Sequence, residues 1–149
     1  MNITEITSTK TQAAVRLRLA PYCRVSSDSA DQLHSFAAQI RYYSDYAKKH
    51  PEYQLVDIYA DEGITGTEMK KRDELKRLIA DCKKGKVDRI IVKSVSRMAR
   101  NTEELLVMIR MFKDIGVSVY FEEQGIDTEK LNMEMIVTFP GMAAQQESV

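Results

Sequence analysis

Much that would assign a protein to a chemical class is missing from these 149 residues. Two cysteines, Cys23 and Cys82, are too few for a disulfide scaffold and lack metal-ligand spacing, so a reduced, cytoplasmic setting is the default. No apolar run approaches the length a membrane span needs, and the polar start MNITEITSTKTQ is unlike a secretory signal. There are two histidines. His34 adjoins apolar Leu33 early in a predicted helix, and His50 sits at that helix's far end beside Pro51. With no G-x-S-x-G elbow around Ser26, a serine–histidine–carboxylate triad is disfavoured. The acidic pairs Asp61–Glu62 and Glu122–Glu123 form no recognisable metal cage with histidine or cysteine. Neither G-x-x-x-x-G-K-S/T nor G-x-G-x-x-G occurs, which leaves ATP and dinucleotide sites unsupported. Internal repeats and low-complexity segments are absent as well.

Net charge is zero, but its distribution is uneven. Residues 69–100 hold 12 basic and 4 acidic side chains, a balance of +8, while residues 101–149 hold 3 and 9, a balance of −6. A basic middle is either a phosphate-facing surface or a solvated helix face, and charge alone leaves both readings open.

What is present is an alternation of strands and helices. A polar leader occupies 1–14. VRLRLAPY (15–22) alternates as a strand does, with Pro21 suggesting an edge or a strand end. Leu33, Phe36, Ala37, Ile40, Tyr43 and Ala47 make a helical stripe over 32–49. QLVDIYA (54–60) reads as a second strand and DEGITGTEMKK (61–71) as a polar loop. RDELKRLIADCKKG (72–85) reads as a helix stopped by Gly85. VDRIIVKS (87–94) is a third strand. Thr102 is a candidate cap for a helix over 103–115, with Leu105, Met108, Ile109 and Phe112 facing inward and Gly116 ending it. VSVYFEE (117–123) is a fourth strand, and 131–149 suggests a final helix interrupted at Pro140 and Gly141. This order predicts an α/β domain with a mostly parallel sheet of four to five strands flanked by helices. Functional groups in such sheets gather at the carboxyl ends of the strands. Ser26 follows the first strand, the 61–71 loop the second and VSRMAR the third, so three loops can meet in one cleft.

Arginine is abundant near those ends. Arg24 precedes Ser26, Arg72 closes the second loop, and Arg97 and Arg100 lie in KSVSRMARN (93–101). If that segment is helical, a spacing of three puts both guanidiniums on one face. A phosphodiester attacked by an alkoxide gains negative charge on its oxygens. Guanidiniums fork onto two such oxygens and stay charged at any cellular pH. They would stabilise the transition state and favour loss of the serine proton. Gln32, Ser35 and Gln39 form a polar stripe suited to hydrogen-bonding phosphate. The plainer alternatives are a turn-capping Ser26, paired or solvated arginines and a wet helix face.

These residues resemble a known family. YCRVSS followed by Gln32, Ser35 and Gln39, then YADEGITGT (59–67), IIVKSVSRMARN (90–101), FEEQGIDT (121–128) and AAQQES (143–148), is similar to the ordered motifs of the N-terminal catalytic domain of serine site-specific recombinases. The likeness spans about 15–149, and DEGITGT looks most like the large integrase or transposase branch. The resemblance implies a resolvase-like catalytic domain over 15–130 and the start of a long oligomerisation helix over 131–149, truncated here. It implies that Ser26 is the nucleophile joined to a DNA 5′ phosphate, with Arg24, Arg72, Arg97 and Arg100 around that phosphate. Gln39 would support them, with Gln32, Ser35, Thr65, Lys93 and Ser96 close by. Ser96 stands where small resolvases carry an aspartate, and Thr65 where they carry a serine. Glu147 would lie in the oligomer helix. Implied too are strand exchange between two duplexes without metal or ATP, double-stranded DNA as partner, a homodimer on DNA and a synaptic homotetramer. The setting would be a bacterial cytoplasm, associated with the nucleoid. The competing expectation is a catalytically inactive α/β interaction module.

Overall fold

Among the described residues every strand pairing in the sheet but one is parallel, as the alternation of strands and helices requires. The computed structural model describes residues 16–25, 35–62 and 72–132. The expected leader, Ser26, Gln32, Leu33, His34, Thr65 and the final helix with Glu147 lie outside the described residues.

In chain order the elements are β1 (Leu17–Val25), α1 (Phe36–Lys49), β2 (Tyr53–Leu55), β3 (Tyr59–Glu62), α2 (Asp73–Lys83), β4 (Arg89–Val92), α3 (Val95–Met98), α4 (Thr102–Asp114), β5 (Ser118–Phe121) and β6 (Ile126–Asp127), followed by a 3-10 turn at Thr128–Lys130. The sheet has five lanes: β2 and β3 share the lane on one side of β1, and β4, β5 and β6 follow on the other. Only β6 runs antiparallel to its neighbour. The expected strand 54–60 is thus divided in two. Asp57 turns its own carboxylate onto the Ile58 amide at 2.8 Å in the gap, a local bond that competes with the ladder.

That gap explains Pro21. The expectation of an edge or strand end is wrong, because β1 is central and Pro21 sits opposite Ile91 of β4. Leu19 turns its carbonyl toward the β2 lane, accepting from Val56 at 2.9 Å. Pro21, two residues on, faces the same way, where residues 56–58 form no strand. Its missing N–H therefore costs the ladder nothing.

Helices cover both faces. On one, Tyr43 of α1 packs with Leu19, Cys23, Val25 and Ile91. On the other, α2 supplies Leu75, Leu78 and Cys82 and α4 supplies Leu105, Met108, Ile109 and Phe112, against Tyr22, Tyr59, Ile90, Val92, Val119 and Phe121. The α4 face matches its sequence pattern in full. The α1 stripe does not: Phe36, in the first turn, is 52% exposed, since Tyr43 and Tyr46 further along reach the sheet. Asn101, not Thr102, caps α4, its side chain accepting from the Glu104 amide at 2.8 Å. The predicted glycine stops hold, with Gly85 and Gly116 at φ 78° and 79°, a region only glycine enters freely.

Candidate active site

The chain leaves β1 toward the β2/β3 lane and later crosses back to β4, so the sheet's order reverses between β1 and β4. Crevices at such switch points, outside the carboxyl ends, are where α/β sheets bind ligands. A small pocket opens there. The end of β1 contributes Tyr22, Cys23 and Arg24; the segment after β4 contributes Lys93 and Arg97; α1 contributes Gln39 and Tyr43. Three of these side chains are cations. Among the described residues no carboxylate lies within 4 Å of Arg24, Lys93 or Arg97. Other arginines are paired: Arg18 with Asp88 at 2.9 Å, Arg89 with Asp127 at 3.0 Å and Arg77 with Glu74 at 2.7 Å. A half-buried guanidinium without a counter-charge favours an anion beside it.

Arg72 and Arg100 are held elsewhere. Arg72 is buried, and its Nη2 donates to the carbonyl of Met98 at 2.5 Å and to that of Arg97 at 3.4 Å. The same group reaches the Tyr22 hydroxyl at 3.4 Å, and Nη1 lies 3.4 Å from Glu104. Arg100 pairs with Glu104 at 3.5 Å, and its amide donates to that carboxylate at 2.9 Å. The expected shared helix face of Arg97 and Arg100 is not formed. α3 ends at Met98 and Ala99 is extended (φ −137°, ψ 149°), which turns Arg100 away. Glu104 attracts it there, using the amide that the end of α3 leaves open. The structure therefore brings Arg24, Arg97, Lys93 and Gln39 together and places Arg72 and Arg100 on Glu104. Arg72 remains linked to the pocket through Tyr22 and through the main chain that carries Arg97.

Asp61, at the end of β3, organises this second cluster. Its Oδ1 accepts from the Glu74 amide at 2.9 Å, and its Oδ2 from the Leu75 amide at 3.0 Å and the Tyr22 hydroxyl at 2.7 Å. The N-cap residue of α2, Arg72, makes no side-chain cap bond, so a carboxylate from a neighbouring strand does that work. Burial, then the Asp61 bond against the opposing Arg72 charge, leaves the Tyr22 phenol well above the ordinary tyrosine value. Burial raises the Cys23 thiol to about 12, with Glu122 adding to the effect and Arg97 opposing it. Cys23 is therefore an uncharged pocket wall.

The remaining candidates take smaller parts. Ser35 Oγ caps α1, accepting from the Ala38 amide at 3.2 Å. Ser96 is exposed, its hydroxyl 3.1 Å from that of Ser94. His50 stacks on Tyr46, ring centres 4.1 Å apart, at the end of α1 remote from the pocket. The basic excess of 69–100 is not one surface: Arg72, Arg77 and Arg89 are ion-paired, and Lys83, Lys84 and Lys86 lie at the opposite, amino-terminal edge of the sheet. Sequence reasoning missed Tyr43 and Cys23 as pocket walls, Asp61 as a cap and Glu122 as an acceptor for two tyrosines. The one available signal was position, since Asp61 and Glu122 both stand at strand ends. Among the described residues no group of three or more His, Cys, Asp or Glu side chains is arranged to hold a metal ion. No described helix is long and apolar enough to cross a membrane.

Comparison with known proteins decides the family. The profile described as the resolvase N-terminal domain matches residues 19–149. The chain belongs to that family. A resolvase/recombinase of Pseudomonas putida is 30% identical over 131 residues, covering 88% of this chain and 65% of that protein. The Tn3 transposon resolvase of Escherichia coli is 29% identical over 131 residues, covering 88% and 64%. The chain thus spans a little under two thirds of these relatives' length. Among solved structures, a resolvase-family site-specific recombinase from Streptococcus pneumoniae superposes with a TM-score of 0.69 at 29% identity, over 89% of each chain. The N-terminal catalytic domain of TP901-1 integrase shares the fold, with a TM-score of 0.70 at 24% identity over 88% of this chain and 96% of that one.

Proposed function

We propose that this resolvase-family domain is the catalytic part of a site-specific DNA recombinase acting through Ser26. The observation that carries this reading is the pair Arg24 and Arg97. Both line a pocket at the switch point of the sheet, neither is matched by a described carboxylate, and in the sequence Ser26 comes two residues after Arg24, immediately past the last residue of β1. The Ser26 hydroxyl oxygen attacks a backbone phosphorus. An Oγ–P bond forms, the bond from phosphorus to the 3′ oxygen breaks, the seryl proton passes to a base and the 3′ oxygen gains a proton. The guanidiniums take up the charge that develops on the phosphoryl oxygens. The seryl phosphodiester keeps the energy of the broken bond, so rejoining by a 3′ hydroxyl needs neither ATP nor a metal. Lys93 and Gln39 complete the oxygen contacts, while Arg72 and Arg100 secure the segment that bears Arg97.

Double-stranded DNA at recombination sites is the substrate, handled by a homodimer that pairs into a homotetramer, in the integration or excision of a mobile element. An inactive interaction module calls for a cleft closed by ion pairs, yet among the described residues carboxylates pair with Arg72 and Arg100 and not with Arg24 or Arg97. The test is adduct formation on DNA carrying the recombination site, quenched with denaturant. Arg97→Ala should lower the cleavage rate by about 10²–10³, and Ser26→Ala should abolish adducts while leaving site binding. Adducts formed by Ser26→Ala at the wild-type rate would refute the reading.

A further inference from the structure

Glu122 has no part in the chemistry above, yet it is tied to the helix that lines the pocket. It follows Phe121, the last residue of β5, and its amide donates to the Val92 carbonyl at 3.0 Å. The next amide, of Glu123, donates to the Lys93 carbonyl at 2.8 Å, so β4 and β5 are joined up to a residue of the pocket wall. Each carboxylate oxygen of Glu122 takes one phenol. Tyr42 donates to Oε2 at 2.5 Å and Tyr43 to Oε1 at 2.7 Å.

The tyrosines are adjacent on α1, with ring centres 4.8 Å apart and planes at 82°. Adjacent helical side chains diverge by about 100° around the axis. Two of them can meet at one carboxylate only for one rotation of the helix, so the clamp fixes the roll of α1 as well as its distance from β5. Gln39 stands one turn before Tyr43 on the same helix, and both line the pocket. The Lys93 ammonium lies 5.4 Å from the centre of the Tyr42 ring, so the same clamp also seats a cation. Burial first, then Glu122, raises both phenols above the ordinary tyrosine value, keeping them as donors. Among the described residues Glu122 makes no ion pair that would give it another role.

We propose that Glu122 is a positioning residue for the anion pocket: its two-phenol clamp sets the roll of α1 and with it the place of Gln39 beside Arg24 and Arg97. The proposal rests on reading the pocket as a phosphate site, and its test separates the two. Glu122→Ala removes both contacts, Glu122→Gln keeps both without the charge because one phenol donates to the amide oxygen while the other accepts from the NH2, and Tyr43→Phe removes a single hydroxyl should the alanine variant fail to fold. In single-turnover cleavage at saturating DNA, the alanine and phenylalanine variants should be slower by about 10- to 100-fold, with half-saturation unchanged within about twofold. Glu122→Gln should return to within about threefold of wild type, a rescue that loss of stability alone would not give. An alanine variant as fast as wild type, or a glutamine variant as slow as alanine, would overturn the proposal.

Should wild-type protein form no adduct, the phosphoryl-transfer reading fails, and inorganic phosphate titrated against the Arg24 and Arg97 Nε–Hε resonances decides the positioning role alone. Wild type and Glu122→Gln should then bind phosphate alike, and Glu122→Ala about fivefold or more weakly. Equal affinity in all three overturns the positioning role, and no shift in wild type overturns both.

Discussion

Removing the carboxylate of Asp61 is the perturbation whose cost the structure allows to be worked out. Asp61 is 6% exposed and accepts three hydrogen bonds, from the amides of Glu74 and Leu75 and from the Tyr22 hydroxyl. Replacing a helix cap by alanine costs about 1–2 kcal/mol. Leaving a buried donor without a partner costs about 1–3 kcal/mol, and the Leu75 amide and the Tyr22 hydroxyl are both buried. Since such terms are not fully additive, Asp61→Ala should lose about 3–5 kcal/mol, a large part of the roughly 5–15 kcal/mol that stabilises an ordinary domain. Asp61→Asn keeps one acceptor oxygen but turns an NH2 toward an amide, and should lose about half as much. Tyr22→Phe should cost about 1 kcal/mol, and a double-mutant cycle with Asp61→Ala should show the two coupled. Urea unfolding followed by circular dichroism measures all of these. With a slope of about 2 kcal/mol/M, the Asp61→Ala midpoint should fall by about 2 M. A loss below about 1 kcal/mol at an unchanged slope would refute the cap.

Two further outcomes follow from the titratable groups. Burial pushes the Asp127 carboxyl upward, but the Arg89 fork, the Glu129 amide and the charges of Arg89 and Lys130 outweigh it and hold the group below its ordinary value. A carboxyl lowered by folding adds stability that is complete above its unfolded pKa of about 3.9 and is lost as pH falls through the folded value. The stability gap between wild type and Asp127→Asn should therefore shrink below about pH 4 in urea titrations; a gap that widens on acidification would contradict the assignment. Burial raises the thiols of Cys23 and Cys82 to about 12 each, with Glu122 and Asp81 adding to it respectively. Iodoacetamide at pH 8 should label neither until the protein unfolds, and labelling at the rate of a free thiol would remove both from the core.

What could be read from the sequence was what local chemistry decides. The strand at Arg89–Val92, the inward face of Leu105, Met108, Ile109 and Phe112, and the glycine stops at Gly85 and Gly116 all follow from periodicity or from a conformation one residue type prefers. The parallel sheet followed from the order of elements. Pro21 misled because its tolerance depends on a break in the neighbouring lane, at residues 56–58, that the pattern around Pro21 does not reveal. The pairing of Arg97 with Arg100 misled for a similar reason. A spacing of three implies one face only while the helix lasts, and α3 ends at Met98 where Glu104 takes the Arg100 amide. Asp61 and Glu122 act on residues 13 and 14, and 79 and 80, positions away in sequence, and beyond their place at strand ends nothing local marks them. Arginines near strand ends were legible as a group. Which of them lack a carboxylate partner among the described residues was not, because that depends on acids brought in by other elements.

The most direct measurement of the central claim is the chemical identity of the protein–DNA link. DNA trapped on the wild-type protein by denaturant, digested with protease and nuclease and sequenced by mass spectrometry, should yield a peptide in which Ser26 carries the phosphate of a 5′ nucleotide, with a free 3′ hydroxyl on the released strand. A phosphate on any other residue, a link to the 3′ end, or the same adduct from Ser26→Ala would contradict the assignment of Ser26 as the nucleophile served by Arg24 and Arg97.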